Sequence, residues 1–411
     1  MLSKKNSSLR LERYFLDILN RLDESDTDLI KDCNEFYNMT YCSARNNKTR
    51  KLLEELSHLL LNPFESISDN VMIFPSLANS IYELVNQEFV IADRRAFKFL
   101  EATYDISLKP KEIKYIDDFH DGQDLKKTIS AYKASSFSRI VAIGGGRTMD
   151  YAKFISLETN ANLLAIPSSL ATHVYASPKI HALDPIKDFG FSKTIDGDPA
   201  HLTLIDVNLL EFLLKDNKRL VYSGFGDIMA FINARNDWIN SANKGNERYS
   251  LFVDQSIELI IDTLRDIDIN MPLKTWISEY IFIQCLLCHI TDWVGSAPAS
   301  GAEHLFAKSI EDHVNSNPLH GEVVALGVLI FSFIRNKDVN LTKSLIEKFG
   351  ISGKLVELGL TKDNVIEALA QSLNEGLKKN RHTILQEIDT SHEYFSEVIS
   401  RMISSNLISE K

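Results

Sequence analysis

The chain has 411 residues, 45 of them Lys or Arg and 56 Asp or Glu, for a formal net charge of −11. Hydrophobic residues make up 44% and charged residues 25%, ordinary globular values that exclude disordered, collagen-like and disulfide-scaffold classes. The acidic balance speaks against nucleic acid or an anionic membrane as the main partner, and no apolar run approaches the ~20 residues that span a bilayer.

In chain order, residues 1–69 are expected to form a helical N-terminal extension: LERYFLDILNRL and TRKLLEELSHLLL carry apolar residues at helical spacing, and Asn62-Pro63 ends the second. The opening MLSKKNSSLRLERYF has no apolar core and does not read as a secretory signal. Residues 70–206 alternate short apolar runs with helix-period segments: VMIF (71–74), FVIA (89–92), EIKYI (112–116), RIVAI (139–143), NLLAI (162–166) and HLTLID (201–206). That alternation predicts β-α-β units and a parallel sheet buried on both faces. Residues 207–411 read as helices with short polar breaks, an all-helical domain.

The four cysteines suit a cytoplasmic enzyme. Cys33 and Cys42 lie in the extension, and Cys285, Cys288 and His289 spell C-x-x-C-H inside a long apolar helical run. The surroundings make both of these cysteines buried apolar residues rather than a haem attachment.

RIVAI runs directly into Gly144-Gly145-Gly146-Arg147-Thr148-Met149-Asp150, and a helix continues through Lys153. Glycines between a strand and a helix let backbone approach a pyrophosphate, whose charge meets the helix N-terminus. The pattern is G-G-G-x-x-x-D-x-x-K rather than the usual dinucleotide fingerprint, and a plain tight turn explains the glycines as well. Asp93 stands where acidic residues hold a nucleotide ribose, or else caps the helix that begins at Arg94. Arg94 and Arg95 leave NAD and NADP both open.

Three features stand out in the helical half: GFGD with Asp227, SGAEH with His304, and NPLHGE with His320. Each has an ordinary reading by itself, a helix cap or a core or surface histidine. Together, one carboxylate and two imidazoles make a three-ligand set that leaves a coordination position open, as catalytic metal sites require.

The glycine loop, GFGD, S-G-x-E-H and L-H-G-E, in this order, resemble the superfamily of iron-dependent alcohol dehydrogenases, glycerol dehydrogenases and dehydroquinate synthases. GFGDIMAFINARNDW, PSSLATHVYASP and SGAEH are most similar to its glycerol-1-phosphate dehydrogenase branch. The likeness covers roughly residues 70–330 by motif. It implies an α/β nicotinamide-binding domain with a parallel sheet followed by an all-helical metal and substrate domain, with the site in the cleft between them. It also implies that Asp227, His304 and His320 bind one divalent metal (Zn²⁺, Fe²⁺ or Ni²⁺), Asp227 thereby entering catalysis. Gly144, Gly145, Gly146, Arg147, Thr148, Asp150, Lys153, Ser168, Ser169 and Ser177 would lie along NAD or NADP.

Two departures bear on the substrate. Where the branch has an aspartate, counted from Pro178, this chain has His173; where it has a histidine four residues after the first histidine ligand, this chain has Lys308. Both make the pocket more positive and favour an anionic substrate such as a phosphate ester. Lys308 has a solvated helix face as its plain alternative, and His313 is expected at the surface. The expected activity is metal-dependent, NAD(P)-linked interconversion of a small phosphorylated ketone and its alcohol, of the dihydroxyacetone phosphate and sn-glycerol 1-phosphate type. The enzyme is expected to be a cytoplasmic homo-oligomer. A sugar-phosphate cyclase using NAD transiently and a non-catalytic metal-binding scaffold are the alternatives.

Overall fold

A computed structural model describes residues 9–21, 29–35, 45–191, 194–314 and 318–411; Cys42 lies outside them. The chain forms two compact units, Met1–Lys218 with Met271–His289, and Arg219–Asn270 with Ile290–Lys411.

The first unit is built on a seven-stranded sheet: β1 (Glu65–Ser66), β2 (Val71–Phe74), β3 (Phe89–Ala92), β4 (Glu112–Tyr115), β5 (Arg139–Gly144), β6 (Asn162–Pro167) and β9 (Leu202–Asp206). A separate two-stranded ribbon pairs β7 (Lys179–Ile180) with β8 (Ile195–Asp196). The order is β1-β2-β9-β6-β5-β3-β4, antiparallel only between β1 and β2. Every apolar run read as a strand is a strand. Each is buried on both faces where it is central: all four residues of β3 and all five of β9 are buried. Val90, Val141, Ile143, Leu164, Ile166 and Leu204 fill one face beneath the helices Ile81–Asn86, Arg94–Tyr104 and Arg45–Leu56. Helices on a parallel sheet need such continuous apolar strands, because neither face meets water.

The chain order matters for the site. From β3 it steps outward to β4, then returns to β5 beside β3 and proceeds the other way through β6 to β9. The C-terminal ends of β3 and β5 therefore flank the point where strand order reverses, the usual ligand position of open α/β sheets.

The sequence gives no hint of one support. The helix Leu273–Val294 sends Tyr280 and Gln284 to the Leu170 carbonyl, at 2.8 and 3.1 Å, and Gln284 also accepts from the Tyr175 hydroxyl. Cys285 and Cys288 of this helix are buried, 1% and 2% exposed, and not in a disulfide, as read from their surroundings. Cys33 is likewise buried and free.

In the second unit the described residues form helices, with a single bridge between Lys354 and Ser409. Side-chain caps start several of them: Ser250, Thr361 and Ser391 accept from Val253, Asn364 and Tyr394 amides, each worth about 1 kcal/mol. Phe225 and Phe349 stack at 4.0 Å in the core of this unit.

Candidate metal centre and cofactor loop

Asp227 sits in the last turn of the helix Lys218–Ile228, and His320 opens the helix His320–Arg335. Glycine makes their closeness possible. A Cβ on Gly226 would lie 2.1 Å from the Gly321 carbonyl oxygen, and one on Gly321 would lie 1.8 Å from that of Ser223. The two helices thus cross backbone to backbone, and the residues beside those glycines are brought together. A clamp fixes the crossing: Arg219 donates to both carboxylate oxygens of Glu322, at 2.8 and 2.6 Å. Such bidentate pairs constrain geometry as well as adding energy.

His304 comes from a third helix, Ala302–His313, whose start is equally constrained. A Cβ on Gly301 would meet Asp237 Oδ2 at 2.6 Å and the Ala234 Cα at 3.0 Å. Asp237, 2% exposed, accepts from the Ala302 amide at 3.0 Å and the Ile384 amide at 2.8 Å, and pairs with Arg335. Burial raises its pKa to about 6 against the opposing pull of Arg335.

The three side chains converge. His304 Nε2 lies 3.2 Å from Asp227 Oδ1 and His320 Nε2 lies 3.5 Å from the same oxygen. The ligand atoms all fall within 4.8 Å of one another. Each imidazole turns its other nitrogen to an outer carboxylate: His304 Nδ1 to Glu303 at 3.0 Å, His320 Nδ1 to Glu311 at 2.6 Å. A carboxylate behind a histidine fixes ring orientation and raises ligand basicity, and losing it costs metal sites about 10–100-fold in affinity. Burial works against the charged form of both rings, yet hydrogen bonds to Asp227 and the outer carboxylates outweigh it. The pKa of His304 rises, and that of His320 reaches about 10. The field that holds protons on these rings equally favours a divalent cation in their place. Two nitrogens and one carboxylate oxygen suit Zn²⁺, Fe²⁺ or Ni²⁺.

Glu303 and Glu322 stand within quoted motifs, but their partners were not evident from sequence. Glu311 had a signal: it follows His304 by seven residues, two turns along one helix face. Lys308, one turn beyond His304, pairs with Asp312 at 2.6 Å with 42% of its side chain exposed. His313 is exposed at the end of the same helix.

The glycine loop lies in the first unit. Gly145 caps the helix Gly146–Thr159 that follows β5. A Cβ on Gly144 would come within 2.2 Å of Thr148 Oγ1, so this glycine is required by the loop's own fold. Gly145 is different: its Cβ would meet only the Ser169 Cβ, at 3.6 Å. The Ser168 amide donates to the Gly144 carbonyl at 3.0 Å and the Asp93 amide to that of Ile143 at 2.9 Å, which sets three adjacent strand ends side by side. Arg147 is exposed, whereas the Thr148 hydroxyl is buried without a hydrogen-bond partner.

Asp93 accepts from the Ala96 amide at 2.8 Å and so caps its helix. Arg94 lies over the Tyr115 ring and Arg95 pairs with Asp216. Lys153, 2% exposed, donates to the carbonyls of Val174 and Ser177, both at 3.1 Å, and to that of Lys179. Asp150 accepts from the His181 amide at 3.0 Å, and its carboxylate stands 3.7 Å from Lys153 Nζ. Burial works against both charges, raising the Asp150 pKa and lowering that of Lys153. The pair thus grips the stretch that carries His173 and Ser177. Ser177 Oγ accepts from the Lys179 amide and Ser169 Oγ from that of Ala171.

The profile of the iron-containing alcohol dehydrogenases matches residues 75–188. A glycerol-1-phosphate dehydrogenase [NAD(P)+] of Archaeoglobus fulgidus is 29% identical over 296 residues, covering 68% of this chain and 79% of that protein. One from Sulfurisphaera tokodaii is 23% identical, covering 78% and 93%. Among solved structures, glycerol dehydrogenase of Schizosaccharomyces pombe superposes with a TM-score of 0.58 at 19% identity, over 77% of this chain and 83% of that one. The latter likeness concerns the fold. With the ligand triad and the glycine loop in place, the chain is glycerol-1-phosphate dehydrogenase-like, and its residues 75–188 match the iron-containing alcohol dehydrogenases.

Proposed function

We propose that the protein interconverts dihydroxyacetone phosphate and sn-glycerol 1-phosphate as a metal-dependent, NAD(P)-linked oxidoreductase. The observation that carries this reading is the convergence of two imidazoles on one carboxylate, each ring backed by a second carboxylate. The relatives named glycerol-1-phosphate dehydrogenase [NAD(P)+] supply the substrate and the cofactor class. They do not favour the cyclase or scaffold alternatives.

A divalent cation held by Asp227, His304 and His320 would polarise the substrate oxygen, while the nicotinamide gives or takes hydride. The chain's own residues do the rest. Glu303 and Glu311 keep both Nε2 atoms directed at Asp227, so that the ligand set is formed before substrate arrives. The amides at the start of the helix Gly146–Thr159 receive the pyrophosphate, with Gly145 leaving room for it and Ser168 and Ser169 beside it. Lys153 and Asp150 act from behind, by holding the backbone of residues 174–181. His173 is assigned to donate to the substrate, and Lys308 to bind its anionic end. We keep residues 70–206 as the cofactor-binding part and 207–411 as the metal and substrate part.

Among the described residues no helix is long and apolar enough to cross a membrane, in keeping with the cytoplasmic location we assign. A homo-oligomer, dimer or larger, finds support in Leu61, Phe64 and Tyr82, apolar side chains 66%, 53% and 58% exposed.

The test is nicotinamide absorbance with metal-loaded protein, reduced cofactor and dihydroxyacetone phosphate. Stoichiometric oxidation that a chelator stops is the expected result. Release of inorganic phosphate with the nicotinamide unchanged would replace the dehydrogenase by a cyclase.

A further inference from the structure

The helix Arg10–Arg21 precedes the residues 75–188 that match the profile of the iron-containing alcohol dehydrogenases. Its apolar side is fully buried at Leu11 and Phe15, and the Leu11 amide donates to the Ile67 carbonyl at 2.9 Å, just past β1. Arg10 ties it to the helix Leu273–Val294. Arg10 Nη2 lies 2.5 Å from Glu279 Oε2, Nη1 lies 3.6 Å from Glu65 Oε2, and the guanidinium carbon stands 4.7 Å from the centre of the Phe282 ring. One turn on, Tyr14 meets the same Phe282 ring edge-on, with centroids 5.7 Å apart. Glu279 and Phe282, three residues apart, share one face of their helix.

A second face carries Tyr280, Gln284 and Cys288 at four-residue spacing, all buried. These side chains take hold of the loop that follows β6. Besides the two donors on the Leu170 carbonyl, Gln284 Nε2 lies 3.0 Å from the Tyr280 hydroxyl and Cys288 Sγ lies 3.6 Å from the His173 carbonyl. The loop so held borders the glycine loop. A Cβ on Gly145 would lie 3.6 Å from Ser169 Cβ, and one on Gly146 would lie 3.0 Å from Thr172 Oγ1. Leu170 stands between those two residues, so its carbonyl fixes where both of them sit. Every residue in this chain of contacts belongs to the first compact unit.

We propose that the helix Arg10–Arg21 braces the loop 168–177 through the helix Leu273–Val294, with Tyr280 and Gln284 as the positioning residues, and that this brace sets the affinity for the nicotinamide cofactor. The second half rests on the reading of Ser168 and Ser169 as neighbours of the bound dinucleotide. A loop already ordered receives a ligand without first giving up its own conformational freedom. Loosening it therefore weakens binding even where no contact to the ligand is altered. Arg10 and Tyr14 act at one face of a helix, and the consequence is felt at the backbone beyond its other face.

The experiment uses the full, metal-loaded chain and measures two things: amide hydrogen exchange in residues 168–177, and the Kd for NADH and for NADPH. The Ala176 and Ser177 amides, which donate to the His173 carbonyl at 3.0 and 3.2 Å, are the reporters of the loop. Tyr280→Phe is expected to speed their exchange and raise the cofactor Kd by about fivefold, the scale of one lost hydrogen bond. Arg10→Ala should do the same by about threefold, and Arg10→Lys should restore most of that loss. Metal content should not change in any of them. Combined with Tyr280→Phe, Arg10→Ala should add less than it does alone, because both act on the same carbonyl. Unchanged cofactor affinity in Arg10→Ala, whatever the fall in its unfolding midpoint, or strictly additive effects of the two substitutions, would overturn the proposal. Faster loop exchange in Arg10→Ala, with a wild-type chain that binds neither NADH nor NADPH, would keep the brace and overturn the cofactor reading instead.

Discussion

The glycine loop and the candidate metal centre are, in the proposed function, two ways of holding a charged group with different materials. The loop is made of backbone at consecutive positions, Gly144 to Thr148, between a strand and the helix it feeds. The metal centre is made of side chains from three helices, far apart in sequence, that meet only because glycines let backbones touch. A site of consecutive residues inherits its geometry from local structure. A site of scattered residues inherits it from packing, and is as exact as the packing.

The largest expected effect removes the second kind outright. Asp227→Ala or His304→Ala should abolish metal retention and lower turnover by about a thousandfold or more. The chain should stay folded, because both side chains belong to the polar ligand cluster rather than to the apolar core. Metal analysis beside steady-state rates checks this, and a metal-free Asp227→Ala protein of full activity would refute the assigned centre.

Glycine substitutions sharpen the contrast. Gly321→Ala must push backbone from backbone, with the Ser223 carbonyl oxygen only 1.8 Å from the new Cβ. It should cost about 3 kcal/mol of stability, the upper range of overpacking, and loosen the metal as well. Gly145→Ala meets nothing closer than 3.6 Å. It should leave the unfolding midpoint nearly unchanged while weakening nicotinamide binding. Equal destabilisation by the two would erase the distinction.

Acid offers a gentler probe of the sheet unit alone. His201, 6% exposed, accepts from the Leu163 amide at 3.0 Å through Nδ1. Burial, helped by Lys48, lowers its pKa from 6.5 to about 4. The unfolded chain therefore takes up the proton first as pH falls. The stabilising contribution is complete above pH 6.5 and is lost on acidification toward pH 4, by roughly 3 kcal/mol. His201→Asn should flatten that part of the stability profile measured by urea unfolding, and an unchanged slope would show that His201 does not carry it.

Much of this was legible beforehand, and the reason differs by region. The six apolar runs of the sheet announce themselves because a strand buried on both faces has no polar positions to disguise it. The convergence of Asp227, His304 and His320 was legible through motif likeness, since spacing across three helices says nothing about it. The outer carboxylates show the limit. Glu311 shares a helix face with His304, which periodicity reveals, but its hydrogen bond is to His320, which periodicity does not. Asp93 carries the helix cap that its position predicts. Helix Leu273–Val294 reads from periodicity as a helix, with no sign that Tyr280 and Gln284 serve the backbone at Leu170.

Lys153 has a consequence for anyone who treats the protein chemically. An amine fastened to three carbonyls is shut off from acylating reagents and acetyltransferases while the fold persists. Its labelling would therefore report the moment that residues 174–179 come away from the helix behind them, a built-in gauge of the loosening of one loop.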